Sequence, residues 1–510
     1  MPYCQNSSCS PCEALSQVEI RLAEAKALVE HLTVETYRLK SAVNTAHDPL
    51  THRFPQELVS RIFIFSIQPF AWLLPSSDPM FSDVGTLTVV CNAWRNITLA
   101  TPQLWNSFTI RLHPLKPASI QNLTETYLKR SGTLPLAIQI EMHRNEELSK
   151  PPYAMFYPIF DRLNAHSHRW DTLVLRIPFS LSTRLTGSPS SAAPRLDSLT
   201  IRTTGSSSGP RSSVGFGSHQ TQFRPSEVTM SGLYLKAIQI DWSHVKEVDV
   251  KSLSIDECLQ LLCQAPLLNE FRIGNILGDS ASTQLQVTHH SLQTWSSTSF
   301  ETPFSLLCDQ LILPKLENLT ISDGPSDALE RLLKRSSCPL VYFGLCDSDT
   351  SGLISLLRAM PHLKHFCFED LVSSDDEIAS LCALLASTAT FPADSDESTL
   401  FLPRLETVEY YKCPTLLWAT VPSWFPPTET QPGIRHRPLS DIYIDVRISP
   451  SEMEDKAIDT NTVPKLLDLI DRGFILKVDN YYNGDGKKKP EVNFIEASRR
   501  YHDRRGVGAS

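Results

Sequence analysis

The stretch Pro314-Lys-Leu316-Glu-Asn-Leu319-Thr-Ile321 follows the pattern Pro-x-apolar-x-x-apolar-x-apolar, which recurs through the middle of the chain. The alternating apolar and polar residues at the end of each copy predict a β-strand. The clear copies begin at Pro194, Pro266, Pro314, Pro361 and Pro403, and weaker copies lie near Trp170, Leu292 and Leu340. The steps between the anchors Leu268, Leu292, Leu316, Leu340 and Leu363 are 24, 24, 24 and 23 residues.

A step of this length is typical of leucine-rich repeats. Helix-like segments such as Ala328–Lys334 and Leu353–Arg358 precede several copies, so each unit is expected to be a helix followed by a strand. Stacked units bury their apolar sides against each other. The sequence therefore predicts an α/β fold, with a leucine-rich-repeat-like solenoid and a parallel sheet over residues 107–450.

The polar positions of each strand copy are expected to face solvent or a partner on the concave side of the sheet. For any one of these residues, simple solvation is the alternative, but for the surface as a whole we expect protein binding. The candidate partner-facing residues are Glu317, Asn318, Thr320, Lys364, His365, Glu406, Thr407 and Glu409.

Residues 15–47 carry a heptad pattern that predicts one amphipathic helix, and residues 1–14 before it are expected to be disordered. The helix either lies along its own domain or self-associates as a short coiled coil, and the pattern permits both. Its two apolar heptad positions are occupied by Leu15, Leu22, Val29, Thr36 and Val43, and by Val18, Ala25, Leu32 and Leu39.

Residues 50–106 predict a small domain of short helices. Pro55 suits a first helical position, and Leu58, Ile62 and Phe65 then share one helix face. Residues 68–85 predict an irregular loop because prolines and serines separate the aromatic residues. A second helix is expected over Leu87–Ile97, and a short third one over Thr101–Trp105.

The segment from Phe54 to Trp105 resembles an F-box. The resemblance lies in Phe54-Pro55-Gln56-Glu57-Leu58, in Ile62-Phe63 and in Val90-Cys91-Asn92-Ala93-Trp94, although Phe54 replaces the usual leucine and the loop is longer than in the compact form. Together with the heptad helix and the degenerate repeats, it makes the chain resemble the F-box proteins expanded in mushroom-forming fungi.

That resemblance implies a substrate receptor of a ubiquitin ligase. The F-box would bind a Skp-type adaptor, and through it a cullin and a RING subunit, while the repeats would select a protein substrate. The alternative is a repeat scaffold whose F-box-like domain only caps the array. For each candidate contact residue, the alternative is a purely internal position in the core. The residues implied in the adaptor contact are Phe54, Pro55, Leu58, Ile62, Phe63, Val90 and Trp94.

Composition narrows the remaining functions. A net charge of −9 disfavours nucleic acid as the main partner. The 12 cysteines lie mostly in hydrophobic segments and no apolar run is long enough for a membrane span, so a cytoplasmic or nuclear, non-membrane protein is expected. No motif predicts catalytic, metal-binding or cofactor-binding residues, so we expect neither an enzyme nor a cofactor.

Two further segments complete the predicted domain organisation. Residues of about 203–232 are rich in Ser, Gly and Thr and predict a disordered insertion. Residues 451–510 predict a C-terminal segment that ends in a solvated basic tail.

Overall fold

The computed structural model describes residues 10–67, 84–142, 153–188, 196–202, 215–217, 223–278, 286–298, 301–322, 326–346, 352–369, 375–396, 400–413, 418–427, 432–446, 456–480 and 492–507. The chain divides into two compact units, Met1–Arg176 and Ile177–Ser510. The predicted boundary at residue 106 thus marks the change from helices to strands, whereas the division between the units falls after the third strand.

Unit 1 consists of helices followed by three parallel strands. Its helices are α1 (Ser10–Ala46), α2 (Gln56–Ser66), α3 (Val84–Val90), α4 (Asn92–Ala100), α5 (Pro117–Arg130) and α6 (Tyr157–Ala165). Its strands are β1 (Ser107–Leu112), β2 (Leu136–Met142) and β3 (Trp170–Arg176), and β2 pairs in parallel with both others. Short 3-10 turns lie at 102–104, 153–156 and 167–169.

The structure changes several boundaries in unit 1. The heptad helix is present but begins at Ser10, so residues 10–14 are helical. Pro11 is compatible with this start, because proline lacks a backbone N–H and the N–H groups of a first turn have no acceptor within the helix. The helix expected over Leu87–Ile97 is two helices, since Cys91 is extended, with φ −156° and ψ 171°. The third helix is the 3-10 turn at 102–104. Most of the predicted 68–85 loop, residues 68–83, lies outside the described residues, and α3 begins at Val84.

Unit 2 alternates strands with helices. Its strands are β4 (Ser198–Arg202), β5 (Phe216–Gly217), β6 (Glu227–Ser231), β7 (Ile238–Gln239), β8 (Glu247–Ser254), β9 (Glu270–Leu277), β10 (Val287–Thr288), β11 (Thr294–Ser297), β12 (Leu311–Ile312), β13 (Asn318–Ser322), β14 (Tyr342–Cys346), β15 (His365–Glu369), β16 (Thr390–Pro392), β17 (Thr407–Cys413), β18 (Ile434–His436), β19 (Asp441–Val446), β20 (Ile475–Asn480) and β21 (Val492–Asn493). Its helices are α7 (Phe179–Ser182), α8 (Ile255–Gln264), α9 (Glu301–Gln310), α10 (Ser326–Ser336), α11 (Leu353–Arg358), α12 (Asp375–Ser387), α13 (Thr462–Asp471) and α14 (Phe494–Val507).

The main sheet of unit 2 runs in the order β4-β6-β8-β9-β11-β13-β14-β15-β17-β19-β20-β21. Its strand pairs are parallel up to β20, and β21 is antiparallel. The pairing register follows the sequence repeat, since Glu270, Thr294, Asn318, Tyr342 and His365 are successive partners at steps of 24, 24, 24 and 23 residues. The unit is therefore an α/β structure with a long parallel sheet, consistent with a solenoid-like fold.

The core of this sheet is a ladder of large apolar side chains from the second and fourth positions of each strand. Phe271, Trp295, Leu319, Phe343 and Phe366 are directly paired neighbours, and each is at most 1% exposed. The rings of Phe343 and Phe366 stack with their centroids 6.0 Å apart. The apolar positions of the repeat are thus paired from strand to strand, although the third residues of β14 and β15, Gly344 and Cys367, are buried as well.

The prediction that residues 203–232 form a disordered insertion is wrong for the parts of this segment that the structure describes. Glu227–Ser231 is strand β6 of the main sheet, and Phe216 and Phe223 are buried with their ring centroids 5.2 Å apart. Gly215 and Gly217 flank Phe216, and a Cβ at either glycine would collide with the backbone of the neighbouring β7 segment. A few buried aromatic and apolar side chains order this polar segment, which average composition does not reveal. Residues 203–214 and 218–222 lie outside the described residues.

The C-terminal segment is also more structured than a solvated tail. β20 extends the main sheet, and Leu466 of α13 and Phe494 of α14 are buried. The paired first residues of β15, β17, β19 and β20 are 42, 34 and 34 residues apart in the sequence. A search for a 24-residue repeat therefore does not detect these last units. Arg499 and Arg500 are exposed and pair with Glu496, whereas Lys487–Lys489 lie outside the described residues.

Within the part of the chain that the structure describes, no helix is both long enough and apolar enough to cross a membrane.

Candidate functional site

Helix α2 of unit 1 presents an exposed apolar strip. Pro55 lies just before the helix, and its carbonyl oxygen accepts hydrogen bonds from the Leu58 and Val59 amides at 3.0 and 3.1 Å. The following turns bring Leu58, Ile62 and Phe65 to one side of the helix, next to Phe54. These four side chains, called the α2 strip below, are 45%, 38%, 86% and 44% exposed in that order.

The opposite side of α2 is core. Val59 and Phe63 are fully buried, and the ring of Phe63 packs on the half-buried Trp94 of α4 with centroids 4.7 Å apart. Of the residues implied in an adaptor contact, Phe54, Pro55, Leu58 and Ile62 are exposed and Val90 is half-buried. Phe63 is instead an internal residue, because it lies on the side of α2 that faces α4.

Asp48 fixes the junction between α1, α2 and α4. Its carboxylate accepts hydrogen bonds from the Leu50 amide at 2.9 Å, the Trp94 indole Nε1 at 2.8 Å, and the Thr51 amide and hydroxyl. Burial alone would raise the pKa of Asp48, but these hydrogen bonds together hold the pKa below its usual value. From the sequence, Asp48 could be recognised only as the residue at which the first helix ends. Its hydrogen bond with Trp94 could not be predicted, because the two residues lie 46 positions apart.

In unit 2 the first and third positions of the strands share the face opposite the apolar ladder. This polar face comprises Asn318, Thr320, Tyr342, Gly344, His365, Cys367, Thr407, Glu409, Asp441 and Tyr443. Asn318, Thr320, His365 and Glu409, all expected to face a partner, are half-buried here. Thr407 is only 7% exposed, because its short side chain lies between the longer His365 and Asp441.

The other three predicted residues lie one position before the strands. Glu317 precedes β13, and its carbonyl oxygen accepts hydrogen bonds from the Val341 and Tyr342 amides. Lys364 and Glu406 precede β15 and β17 and pair with each other, with 2.7 Å between Nζ and Oε1. They lie at the amino ends of the strands and not within the face itself, because the strands begin at the next residues, Asn318, His365 and Thr407.

A cluster of tyrosine, thiol and carboxylate groups forms the centre of the polar face. Burial, with the charge of Glu409, raises the pKa of Cys367 to about 12 and that of Tyr411 to about 12. The Tyr411 hydroxyl donates to Glu409 Oε2 at 3.1 Å. Protonated hydroxyl and thiol groups beside carboxylates can exchange hydrogen bonds with a bound chain, but these pKa values disfavour a nucleophilic role near neutral pH.

Two buried polar residues of unit 2, His289 and Arg437, bond to carbonyl oxygens at helix ends. His289 Nε2 donates to the Ala265 carbonyl oxygen at the end of α8 at 3.0 Å, while its Nδ1 accepts from the Leu292 amide at 3.1 Å. Arg437 donates to the carbonyl oxygens of Leu385, Thr388, Phe401 and Leu402 at 2.9 to 3.1 Å. Both side chains donate hydrogen bonds to carbonyl oxygens at a helix end, which have no partner within the helix. The helical pattern in the sequence does not show which distant side chain supplies the donor.

Comparisons with known proteins add little to this geometry. A scan against models of protein families finds no match, and neither does a search of curated proteins. A crystal structure of a Bacteroides fragilis protein, a structural genomics target, is 12% identical and covers 77% of this chain and 78% of that chain, with a TM-score of 0.26. A similarity at this score supports no conclusion about function.

Proposed function

We propose that the protein is the substrate-recognition subunit of a Skp-cullin-F-box ubiquitin ligase, with an F-box in unit 1 and leucine-rich-repeat-like units in unit 2. The observation that supports this most directly is the α2 strip. Four large apolar side chains that could have been buried are left in solvent, whereas Phe63 on the same helix is 1% exposed. Large exposed apolar and aromatic residues are the expected anchors of a protein interface.

The sequence match and the exposure pattern support the same adaptor contact. Phe54, Leu58 and Ile62 belong both to the F-box-like motif and to the α2 strip. Phe63 and Trp94 then support the contact from inside the domain. Phe65 extends the strip and joins the proposed contact, although it lies outside the motif positions.

The polar face of unit 2 is the proposed substrate surface. Its alternating hydroxyl, amide, thiol and carboxylate groups offer hydrogen bonds along a row of parallel strands. Repeat arrays commonly use such extended sheet surfaces for binding. The proposal needs no catalytic residue in this chain, since ubiquitin transfer is performed by the other ligase subunits, and it places the protein in the cytoplasm or nucleus.

A pull-down of the full-length chain with a purified Skp-type adaptor tests this function. We expect wild type to be retained and the double variant Leu58→Lys with Ile62→Lys to be lost. Leu123→Lys is the matched control, because Leu123 is 53% exposed on helix α5 of the same unit but lies outside the strip. Absence of binding by folded wild-type protein would overturn the ligase proposal and favour a repeat scaffold whose F-box-like domain is only a cap.

A further inference from the structure

Helix α1 leaves its whole apolar seam exposed. It has 37 residues, about 55 Å at 1.5 Å per residue, and none of its side chains is buried. The last turns of the helix contact the rest of unit 1, for example through Asn44 Nδ2, which donates to the Val90 carbonyl oxygen at 2.7 Å. The seven leucines and valines at the two apolar heptad positions are each between 45% and 64% exposed. The described residues of unit 1 therefore do not cover the apolar seam of this helix.

An isolated helix of this kind gains little stability in water, because helices in proteins are stabilised mainly by packing an apolar face. A seam with apolar residues at both heptad positions over about four heptads has the length and spacing of a coiled-coil partner surface. We propose that α1 pairs with α1 of a second copy of this chain in an antiparallel coiled coil. This inference does not depend on the ligase function.

The charges beside the seam favour a second copy in the antiparallel orientation. Interhelical pairs between flanking positions set the orientation of coiled coils. In a parallel dimer, Arg21 of each helix approaches Lys26 of the other, an unfavourable pair that occurs twice, and Glu35 meets Lys40, an attractive pair that also occurs twice, so these charges cancel. In the antiparallel alignment, Arg21 meets Glu35 of the second copy twice, and like charges meet once, where the two copies of Lys26 approach.

The apolar layers agree with this alignment. Antiparallel pairing places Leu15 opposite Leu39 and Leu22 opposite Leu32, and it sets the small Ala25 against Val29 and the polar Thr36 against Val18. It also brings Leu28, which lies beside the seam and is 58% exposed, against its own copy at the two-fold axis. A parallel dimer would instead place Thr36 against Thr36 and Ala25 against Ala25, which leaves a polar layer and an underfilled one.

Sedimentation equilibrium of the full-length chain tests the dimer. We expect wild type at about twice 57.2 kDa, and the variant Leu22→Glu with Leu32→Glu as a monomer. Ile20→Glu with Val34→Glu is the matched control, because these residues are 56% and 63% exposed but lie outside the seam, and it should remain a dimer. A monomeric wild type, or a control pair that dissociates as completely as the seam pair, would overturn the proposal.

A charge exchange tests the orientation and remains informative if the seam variant fails to fold. Arg21→Glu should weaken the dimer about tenfold, since it turns two attractive pairs into repulsive ones. Adding Glu35→Arg should restore the wild-type dissociation constant. In a parallel dimer Arg21→Glu would face Lys26 and strengthen association, so tighter association of the single variant would contradict the antiparallel arrangement.

Discussion

In the sheet of unit 2, apolar side chains alternate with polar ones and are buried, as Phe343 and Phe366 are at 0% and 1% exposure. Helices α1 and α2 of unit 1 leave side chains of similar size in solvent, and Phe65 is 86% exposed. A repeat array satisfies its own apolar surface by stacking one unit on the next. Among the described residues, no element covers the exposed faces of α1 and α2 in this way, which is the basis of the proposal that partners bind them.

The largest difference between the two regions should appear on truncating one phenylalanine in each. Phe343→Ala is expected to destabilise unit 2 by about 3 to 5 kcal/mol, because it leaves a cavity in the apolar ladder. Phe65→Ala should change the stability of unit 1 by no more than about 0.5 kcal/mol. Hydrogen exchange of the β14 and α2 amides measures both effects, and similar losses of protection would contradict the assignment of Phe65 to a partner surface.

Substitution of Arg437 tests whether buried polar side chains stabilise the longer repeats near the C-terminal end of the sheet. Arg437→Met should destabilise unit 2 by about 2 to 3 kcal/mol, since it leaves several carbonyl groups around α12 without their donor. Arg437→Lys should recover only part of this, because an ammonium group lacks the planar fork of the guanidinium. Denaturant unfolding monitored by the tryptophan fluorescence of the chain would show the change, and an unchanged midpoint would argue against the anchor.

Asp48 gives the corresponding polar anchor in unit 1. Asp48→Asn should destabilise this unit by about 1 to 3 kcal/mol, because the hydrogen bonds from Leu50, Thr51 and Trp94 then go to a neutral acceptor. The folded-state pKa of Asp48 is lowered, so its contribution is present above the aspartate value of about 4 and is lost as the pH falls toward the folded-state pKa. Acid titration followed by the NMR signal of the Trp94 indole N–H should show this dependence in wild type and a weaker one in the variant.

The smallest effect on stability is expected in the α2 strip. Leu58→Lys with Ile62→Lys should shift the free energy of unfolding of unit 1 by no more than about 0.5 kcal/mol, since both side chains are already largely solvated. Thermal unfolding of the variant beside wild type measures this shift. A large loss of stability would mean that these residues belong to the core, and the strip would then no longer mark an interface.

The sequence predicted the parts of the fold that depend on local spacing. The anchors around Leu316 and Leu340 predicted the strands and the parallel sheet, and the observed pairing register follows the same step of the repeat. The shared face of Leu58, Ile62 and Phe65 was likewise visible from helical spacing. Features that depend on distant partners were not predictable, as with Asp48 and Trp94, or with Arg437 and the end of α12.

Local spacing also gave some wrong predictions. The pattern through Cys91 is helical, but the chain becomes extended there and turns into α4. The polar composition around Glu227 concealed a strand whose buried residues are only Val228 and Met230. In the candidate site, helical spacing located the residues of α2, but it could not decide that Phe63 faces Trp94 while Leu58 faces solvent.

The affinity of the full-length chain for a purified Skp-type adaptor tests the central claim most directly. Calorimetric titration should give a saturable complex for wild type and for Leu123→Lys, with binding at least about tenfold weaker for Leu58→Lys with Ile62→Lys. Equal affinity of the strip variant and wild type, or no binding by folded wild-type protein, would contradict the assignment of the exposed α2 strip to the ligase adaptor.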